Sequence, residues 1–210
     1  FLHSRMSVIP NPIFPSKAKA SPGAPEKKAF QILFIGRLDS LQKQPAILVN
    51  AFATIADANP DWHLKIVGDG DAREPLFALI QTLGMADRVT LTPSASDVGP
   101  IYEGADLFVI PSLWEGSPNS LTEAMAHGLP AVGFNVDGVS QLIQNKVTGW
   151  IAPTMDENAL ADTLSQAMAN PAKLANLGAA AQKATLSHQE NIIYDLWHKL
   201  ILSVGKNNGA

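Results

Sequence analysis

Short runs rich in apolar residues recur along the chain, with longer amphipathic stretches between them. Gln31 to Ile35, Trp62 to Val67, Arg88 to Leu91, Leu107 to Ile110, Ala131 to Phe134 and Gly149 to Ala152 are the apolar runs. Each reads as a strand, and Leu107 to Ile110, apolar throughout, fits one buried on both faces of a parallel sheet. Between the first two, Pro45 to Ala58 carries Ile47, Leu48, Ala51, Phe52 and Ile55 at helical spacing. Pro75 to Leu83, Glu157 to Ala169, Pro171 to Ala184 and Ser187 to Leu202 also read as helices, with short helical turns at Val98 to Glu103 and Val139 to Ile143. Strands alternating with helices predict an α/β fold, a parallel sheet with helices on both faces. No internal repeat is present.

The ends of the chain read differently. Val8-Ile9-Pro10-Asn11-Pro12-Ile13 holds two prolines and predicts an extended connector. Phe14 to Lys28 is rich in Pro, Ala, Ser and Lys and reads as a flexible loop. The last helix carries Ile192, Ile193, Leu196, Trp197, Leu200 and Ile201 as a broad apolar stripe, so part of it is expected to be exposed and to favour self-association.

The stretch from Asp106 to Phe134 is the densest in signals. A strand ends at Pro111, Glu115 and Gly116 form a turn, and Ser117 and Pro118 read as the N-cap and first residue of a helix that Gly128 and Pro130 end. Leu121, Ala124, Met125 and Gly128 share the face expected to meet the sheet, with Asn119 and Glu123 opposite. Such a helix begins at the carboxyl end of a strand, where doubly wound sheets bind ligands, and its free N–H groups favour an anion such as phosphate. Gly116 lets backbone approach that ligand. Arg37 and Lys43, after the first strand, could add a planar fork and a point charge toward a diphosphate. Glu123 could accept from two vicinal hydroxyls, since both its oxygens are acceptors. Each of these charges could equally be a solvated surface group.

Composition narrows the function. The 210 residues, 46% hydrophobic and 16% charged, allow one globular domain with extensions. A net charge of −4 with no basic cluster speaks against nucleic acid. Zero cysteines exclude disulfides and thiolate metal sites. Neither a membrane span nor a signal peptide is visible. G-x-G-x-x-G and P-loop motifs are absent, which argues against NAD and ATP. Asp69-Gly70-Asp71 matches Asp-x-Asp, a pattern that can bridge a cation and a diphosphate, but Asp and Gly are also what a turn after a strand needs. The five histidines show no ligand spacing, and His127 reads as a surface residue on the polar side of its helix. As a glycosidase pair, Glu115 and Glu123 fit poorly: eight helical residues rise about 12 Å, whereas such carboxyls sit roughly 5–9.5 Å apart.

Glu115-x7-Glu123, followed by Ala-Met-Ala-x-Gly-Leu-Pro, resembles the motif of the retaining group 1 (family 4) glycosyltransferases of the GT-B fold, and the resemblance runs from about Val8 to the C-terminus. It implies a Rossmann-like sheet forming the C-terminal half of such an enzyme, with residues 1–28 an interdomain connector and loop, 29–186 the nucleotide-sugar-binding domain and 187–210 a C-terminal helix passing back toward an N-terminal acceptor domain absent from the sequence. The chain opens at Phe1, as a fragment would.

The resemblance also implies roles. Gly36, Arg37 and Lys43 hold the donor diphosphate, although the family's usual Lys-Gly pair is Lys43-Gln44 here. Gly116, Ser117, Asn119 and Ser120 offer backbone to phosphate. Glu123 takes the ribose, and Glu115 lies by the donor sugar, assisting the charge that develops at the anomeric carbon. The implied catalytic set is thus Glu115, Arg37 and Lys43. The implied donor is a UDP- or GDP-sugar, with no metal and no further cofactor. The implied acceptor is a polysaccharide, lipopolysaccharide or glycolipid, in an enzyme that is cytoplasmic or peripheral to the inner face of the membrane. The fragment alone is expected to be inactive. A non-catalytic Rossmann-like nucleotide-binding or protein-interaction module is the other reading.

Overall fold

A computed structural model describes residues 7–14 and 19–207. Six parallel strands form one sheet: β1 (Phe30–Ile35), β2 (Trp62–Val67), β3 (Val89–Thr92), β4 (Leu107–Ile110), β5 (Ala131–Phe134) and β6 (Gly149–Ala152). Their order is β3-β2-β1-β4-β5-β6. The chain builds outward from β1 to β3, then returns to lay β4 against the other side of β1, where Ile32 pairs with Leu107 and Leu33 with Phe108. That reversal is the topological switch point, and a crevice opens there beyond the carboxyl ends of the strands. Four predicted strands match to the residue; β1 begins one residue earlier than predicted, and β3 is shifted by one residue at both ends.

The apolar alternation of the strands fills two layers. Ile32, Phe34, Ile66 and Val109 face one cluster with α1 (Pro45–Ile55), α2 (Arg73–Thr82) and α6 (Glu157–Met168). Leu33, Val67, Phe108 and Ile110 face the other, with α3 (Gly99–Glu103), α4 (Asn119–Ala126) and α7 (Leu174–Ala184). A short α5 (Val139–Leu142) precedes β6, and α8 (Glu190–Asn207) ends the described chain. The predicted helix at 171–184 is interrupted: Pro171–Lys173 is a tighter turn before α7. The predicted helix at 187–202 likewise begins only after the tight turn Leu186–His188. Among the described residues, no helix is long and apolar enough to cross a membrane.

One connection differs from the loop the sequence suggests, and the extended connector before it is anchored. The part of the 14–28 segment that is described, from Lys19 onward, is fastened rather than free. Asp106, buried at the start of β4, accepts from Gly23 N at 2.8 Å, Lys27 Nζ at 2.7 Å and Gln31 N at 2.9 Å. A buried carboxylate requires such partners, and the segment supplies two of the three, the third coming from β1. Ala20 N also donates to the His127 carbonyl at 2.9 Å. Residues 15–18 lie outside the described residues. The connector bridges at Ile13 to Gln189, with Ile13 N donating to the His188 carbonyl.

The C-terminal stripe is only partly used. Ile193 is buried, whereas Ile192, Leu196, Trp197 and Ile201 are exposed, Trp197 by 49%.

Candidate functional site

The loop after β1 is organised by Asp39. Its Oδ1 accepts from Gln42 N at 2.7 Å and Lys43 N at 3.4 Å, and its Oδ2 accepts from Arg37 Nε at 2.9 Å. Burial would raise the Asp39 pKa, but the bonds from Gln42, Arg37 and Lys43 outweigh it and hold the carboxyl below its usual value. One side chain thus fixes both cations of the loop. Arg37 remains largely exposed and lines the cleft at the ends of β1 and β2. Lys43 turns inward.

The turn that delivers Lys43 needs a left-handed residue, and Gln44 supplies it at φ 50°, ψ 46°. That region costs an L-residue strain that glycine avoids. Gln44 offsets part of it by donating from Nε2 to the carbonyls of Ser40 and Leu41. The turn therefore forms with glutamine where the family resemblance leads one to expect glycine.

The loop after β4 meets this loop directly. Lys43 Nζ and Glu115 Oε1 form an ion pair, with Lys43 18% and Glu115 6% exposed. Beside it, Gln42 Nε2 donates to the Trp114 carbonyl at 3.0 Å and Leu113 N to the Gln42 carbonyl at 2.9 Å. Gly138 supports the turn from behind: at φ 79°, a Cβ there would lie 2.6 Å from the Glu115 carbonyl oxygen. Neither Asp39, Trp114 nor Gly138 stood out in the sequence. The Asp placed three and four residues before Gln42 and Lys43 was a legible turn signal for the first.

Helix α4 starts one residue later than its sequence suggests. Pro118 is the N-cap, at φ −78° and ψ 86°, and no side chain caps the helix. Ser117 is drawn away instead: Asn11 Nδ2 donates to Ser117 Oγ at 3.3 Å and to Asn119 Oδ1 at 2.9 Å. The connector is thereby latched to the helix start, beside a cleft of about 320 Å³ lined by Asn11, Gly116, Ser117 and Gly138. Among the described residues, the N–H groups of Asn119, Ser120 and Leu121 donate to no backbone carbonyl outside the helix, so the helix keeps its free donors.

Leu121, Ala124 and Met125 face the sheet as the periodicity predicts. Glu123 is half-buried, and its Oε2 accepts from the Tyr102 hydroxyl at 3.0 Å. His127 is not a surface residue: it is 8% exposed, its ring stacks on Tyr102 at 4.8 Å, and its Nδ1 donates to the Glu123 carbonyl at 2.8 Å. The short turn ending α4 rolls His127 toward α3, which the two-face reading of the helix did not anticipate.

A second cleft of about 220 Å³ opens at the ends of β1 and β2, lined by Gly36, Arg37, Gly68, Ser94 and Val98. Gly68 is required there, since a Cβ would lie 1.9 Å from the Gly36 carbonyl oxygen. Asp69 accepts from Ser94 Oγ at 2.6 Å and Ser94 N at 2.8 Å, and its carbonyl accepts from Leu38 N, which makes it a turn residue of this rim. Among the described residues, no group of three or more His, Asp or Glu side chains is placed to hold a metal ion.

Of the residues singled out in the sequence, the structure joins Lys43 to Glu115, and sets Gly116, Ser117 and Asn119 beside the connector. Glu123 stands one helical turn further on, with Tyr102, and no hydrogen bond joins it to Arg37, Lys43 or Glu115 among the described residues.

Comparison with known proteins agrees with this architecture. The family model for glycosyl transferases group 1 matches residues 16–184. An uncharacterised glycosyltransferase of Haemophilus influenzae is 37% identical over 141 residues, covering 67% of this chain and 40% of that protein. The UDP-Gal:alpha-D-GlcNAc-diphosphoundecaprenol alpha-1,3-galactosyltransferase of Escherichia coli is 32% identical over 66% of this chain and 36% of its own length. The chain thus spans well under half the length of these relatives. Among solved structures, sucrose-phosphate synthase of Thermosynechococcus elongatus superposes with a TM-score of 0.84 at 25% identity, over 96% of this chain and 53% of that one. Anabaena HepE in complex with UDP and glucose gives 0.83 at 23% identity, over 94% and 57%. With the family model covering most of the sequence and the fold shared, the chain belongs to the group 1 glycosyl transferases, and its sheet is the Rossmann-like sheet of their GT-B fold.

Proposed function

We propose that this chain is the donor-binding C-terminal half of a retaining glycosyltransferase that moves a hexose from a UDP- or GDP-sugar to a polysaccharide, lipopolysaccharide or glycolipid acceptor. The observation that carries the reading is the Lys43–Glu115 ion pair, which joins the loops after β1 and β4 across the switch point. Under it, Arg37 and Lys43 bind the diphosphate and stabilise the charge it gains as the glycosidic bond to it breaks. Gly116 and the free N–H groups at Ser117, Asn119 and Ser120 serve the same anion. Gly36 gives the diphosphate close access to the end of β1. Glu115 faces the anomeric carbon, where positive charge develops. Glu123 accepts from the ribose hydroxyls. The UDP-sugar named in the Escherichia coli relative and the UDP and glucose held by HepE support this donor class. The acceptor is assigned to a domain outside this chain, toward which the exposed stripe of α8 turns. Transfer requires the acceptor to be positioned against the anomeric carbon, so residues 1–210 alone bind donor without turning it over.

Calorimetry with UDP and GDP tests the reading. A charge-assisted hydrogen bond is worth about 1.5–3 kcal/mol, so Arg37→Ala weakens binding about tenfold to a hundredfold. Glu123→Ala weakens UDP binding but leaves inorganic diphosphate unaffected. Absence of UDP and GDP binding by the wild type, or equal binding by all three proteins, overturns it.

A further inference from the structure

Glu123 is gripped at both ends. Its carboxylate accepts from the Tyr102 hydroxyl at 3.0 Å, and its backbone carbonyl accepts from His127 Nδ1 at 2.8 Å. The two gripping rings stack on each other, with centroids 4.8 Å apart and planes 30° apart. Tyr102 also packs against Phe108 of β4 at 6.2 Å and is fully buried. Its hydroxyl lies 3.3 Å from the Ser120 carbonyl as well, but it has one proton, and the nearer, charged carboxylate takes it. Burial and the negative charge of Glu123 push the phenol pKa far above its usual value, so the hydroxyl stays a donor throughout the pH range of a folded protein.

A glutamate on a helix surface samples several rotamers, and a ligand that needs one of them must select it. Here the rotamer is set by a ring that cannot move without disturbing α3, α4 and β4. Tyr102 occupies one acceptor position on Oε2, and among the described residues no hydrogen bond takes Oε1 or the second Oε2 lone pair. Two open acceptors on one carboxylate match two adjacent hydroxyls.

We propose that Tyr102 is a positioning residue for nucleoside recognition: by holding one oxygen of Glu123 it aims the remaining acceptor sites at the vicinal diol of the donor's ribose. This rests on the assignment of Glu123 to the ribose made above. Tyr102 touches no ligand itself and acts through Glu123. A tyrosine that merely filled the core would affect every ligand of the site alike, or none.

The test is calorimetry on the wild type, Tyr102→Phe, Glu123→Gln and the double variant, each with UDP, 2′,3′-dideoxy-UDP and inorganic diphosphate. Phenylalanine keeps the ring on His127 and Phe108 and removes only the hydroxyl. Tyr102→Phe is expected to raise the Kd for UDP about tenfold, the effect of one hydrogen bond's free energy, while the dideoxy ligand and diphosphate bind within about twofold of wild type. The double variant is expected to bind UDP no more weakly than Glu123→Gln alone, since the two act as one unit. Unchanged UDP affinity in Tyr102→Phe, with Glu123→Gln still impaired, overturns this inference and leaves the donor site standing. Equal losses for all three ligands overturn it in favour of a structural role. Failure of the wild type to bind UDP or GDP at all overturns the donor-site reading and this inference with it.

Discussion

Lys43 and Glu115, 72 residues apart in the chain, form the ion pair that ties the loop after β1 to the loop after β4. Neither side chain is well solvated, so each charge depends on the other. Removing one partner leaves the second charge nearly buried and alone. Lys43→Met is therefore expected to lower the unfolding free energy by about 3 kcal/mol, near the lower limit for breaking a buried pair. Combining Lys43→Met with Glu115→Gln should recover part of that loss. Urea denaturation of the two single variants and the double variant measures the coupling. Additive losses would show that the pair does not act as one unit.

Gln44 holds a left-handed conformation that a side chain makes costly. Gln44→Gly removes that strain but also removes the bonds to Ser40 and Leu41 and frees the unfolded chain. The strain of about 1–2 kcal/mol is the largest of these, so the glycine variant is expected to be more stable by about 0.5–1 kcal/mol. Gln44→Val, branched at Cβ, should lose at least 1 kcal/mol, roughly the strain without its compensation. Thermal melts that rank glutamine above glycine would reverse this account.

The strands were legible because each is a short segment rich in apolar residues and set between helical stretches, and Trp62–Val67 and Leu107–Ile110 match their predicted ends. The charged residues of the β1 and β4 loops were legible as candidates, since Arg37, Lys43 and Glu115 follow strand ends. Their partners were not. The pairing of Lys43 with Glu115 depends on β4 returning beside β1, a non-local event that spacing does not encode. Tyr102 lies in a short helical turn that gave no sign of it, and its hydroxyl has meaning only with α4 beside it. Ser117 read as an N-cap because serine favours that role, yet Asn11, more than a hundred residues earlier, holds its hydroxyl. His127 was misplaced for a local reason: as the C-cap of a two-turn helix it leaves the helical wheel that placed it on the polar face.

Asp106 fastens the segment at 19–28 to the sheet through two hydrogen bonds, from Gly23 N and Lys27 Nζ, and takes a third from Gln31 N of β1. It is 1% exposed, so its charge is satisfied by that segment and by the start of β1 rather than by water. Asp106→Ala leaves two backbone N–H groups and a lysine without their acceptor, and should cost about 3–5 kcal/mol. The loss should begin locally. Limited proteolysis is expected to cut the variant near Lys27 and Lys28 well before the sheet unfolds, whereas the wild type resists there. Identical cleavage patterns would mean that other contacts hold the segment.

Stability should fall with acid in two separate limbs. Burial depresses the His188 pKa below its usual 6.5. A histidine with a lowered folded pKa binds fewer protons when folded, so its contribution is complete above pH 6.5 and is lost as pH falls through the folded value. The second limb belongs to carboxylates. Hydrogen bonds from Ser94 to Asp69, and from Ala159 and Thr154 to Asp156, lower both pKa values below 3.8. In Asp39 the bonds from Gln42, Arg37 and Lys43 overcome burial to the same end. A depressed carboxylate contributes above its unfolded value, so these contributions persist to about pH 4 and disappear below it. Melting temperatures measured from pH 8 to pH 3 are expected to dip first below 6.5 and again below 4. His188→Gln should abolish the first dip and leave the second. Asp39→Asn should be less stable at neutral pH and show a shallower second limb, because the charge that acid would remove is already gone. A single transition that neither substitution changes would refute this assignment of the groups.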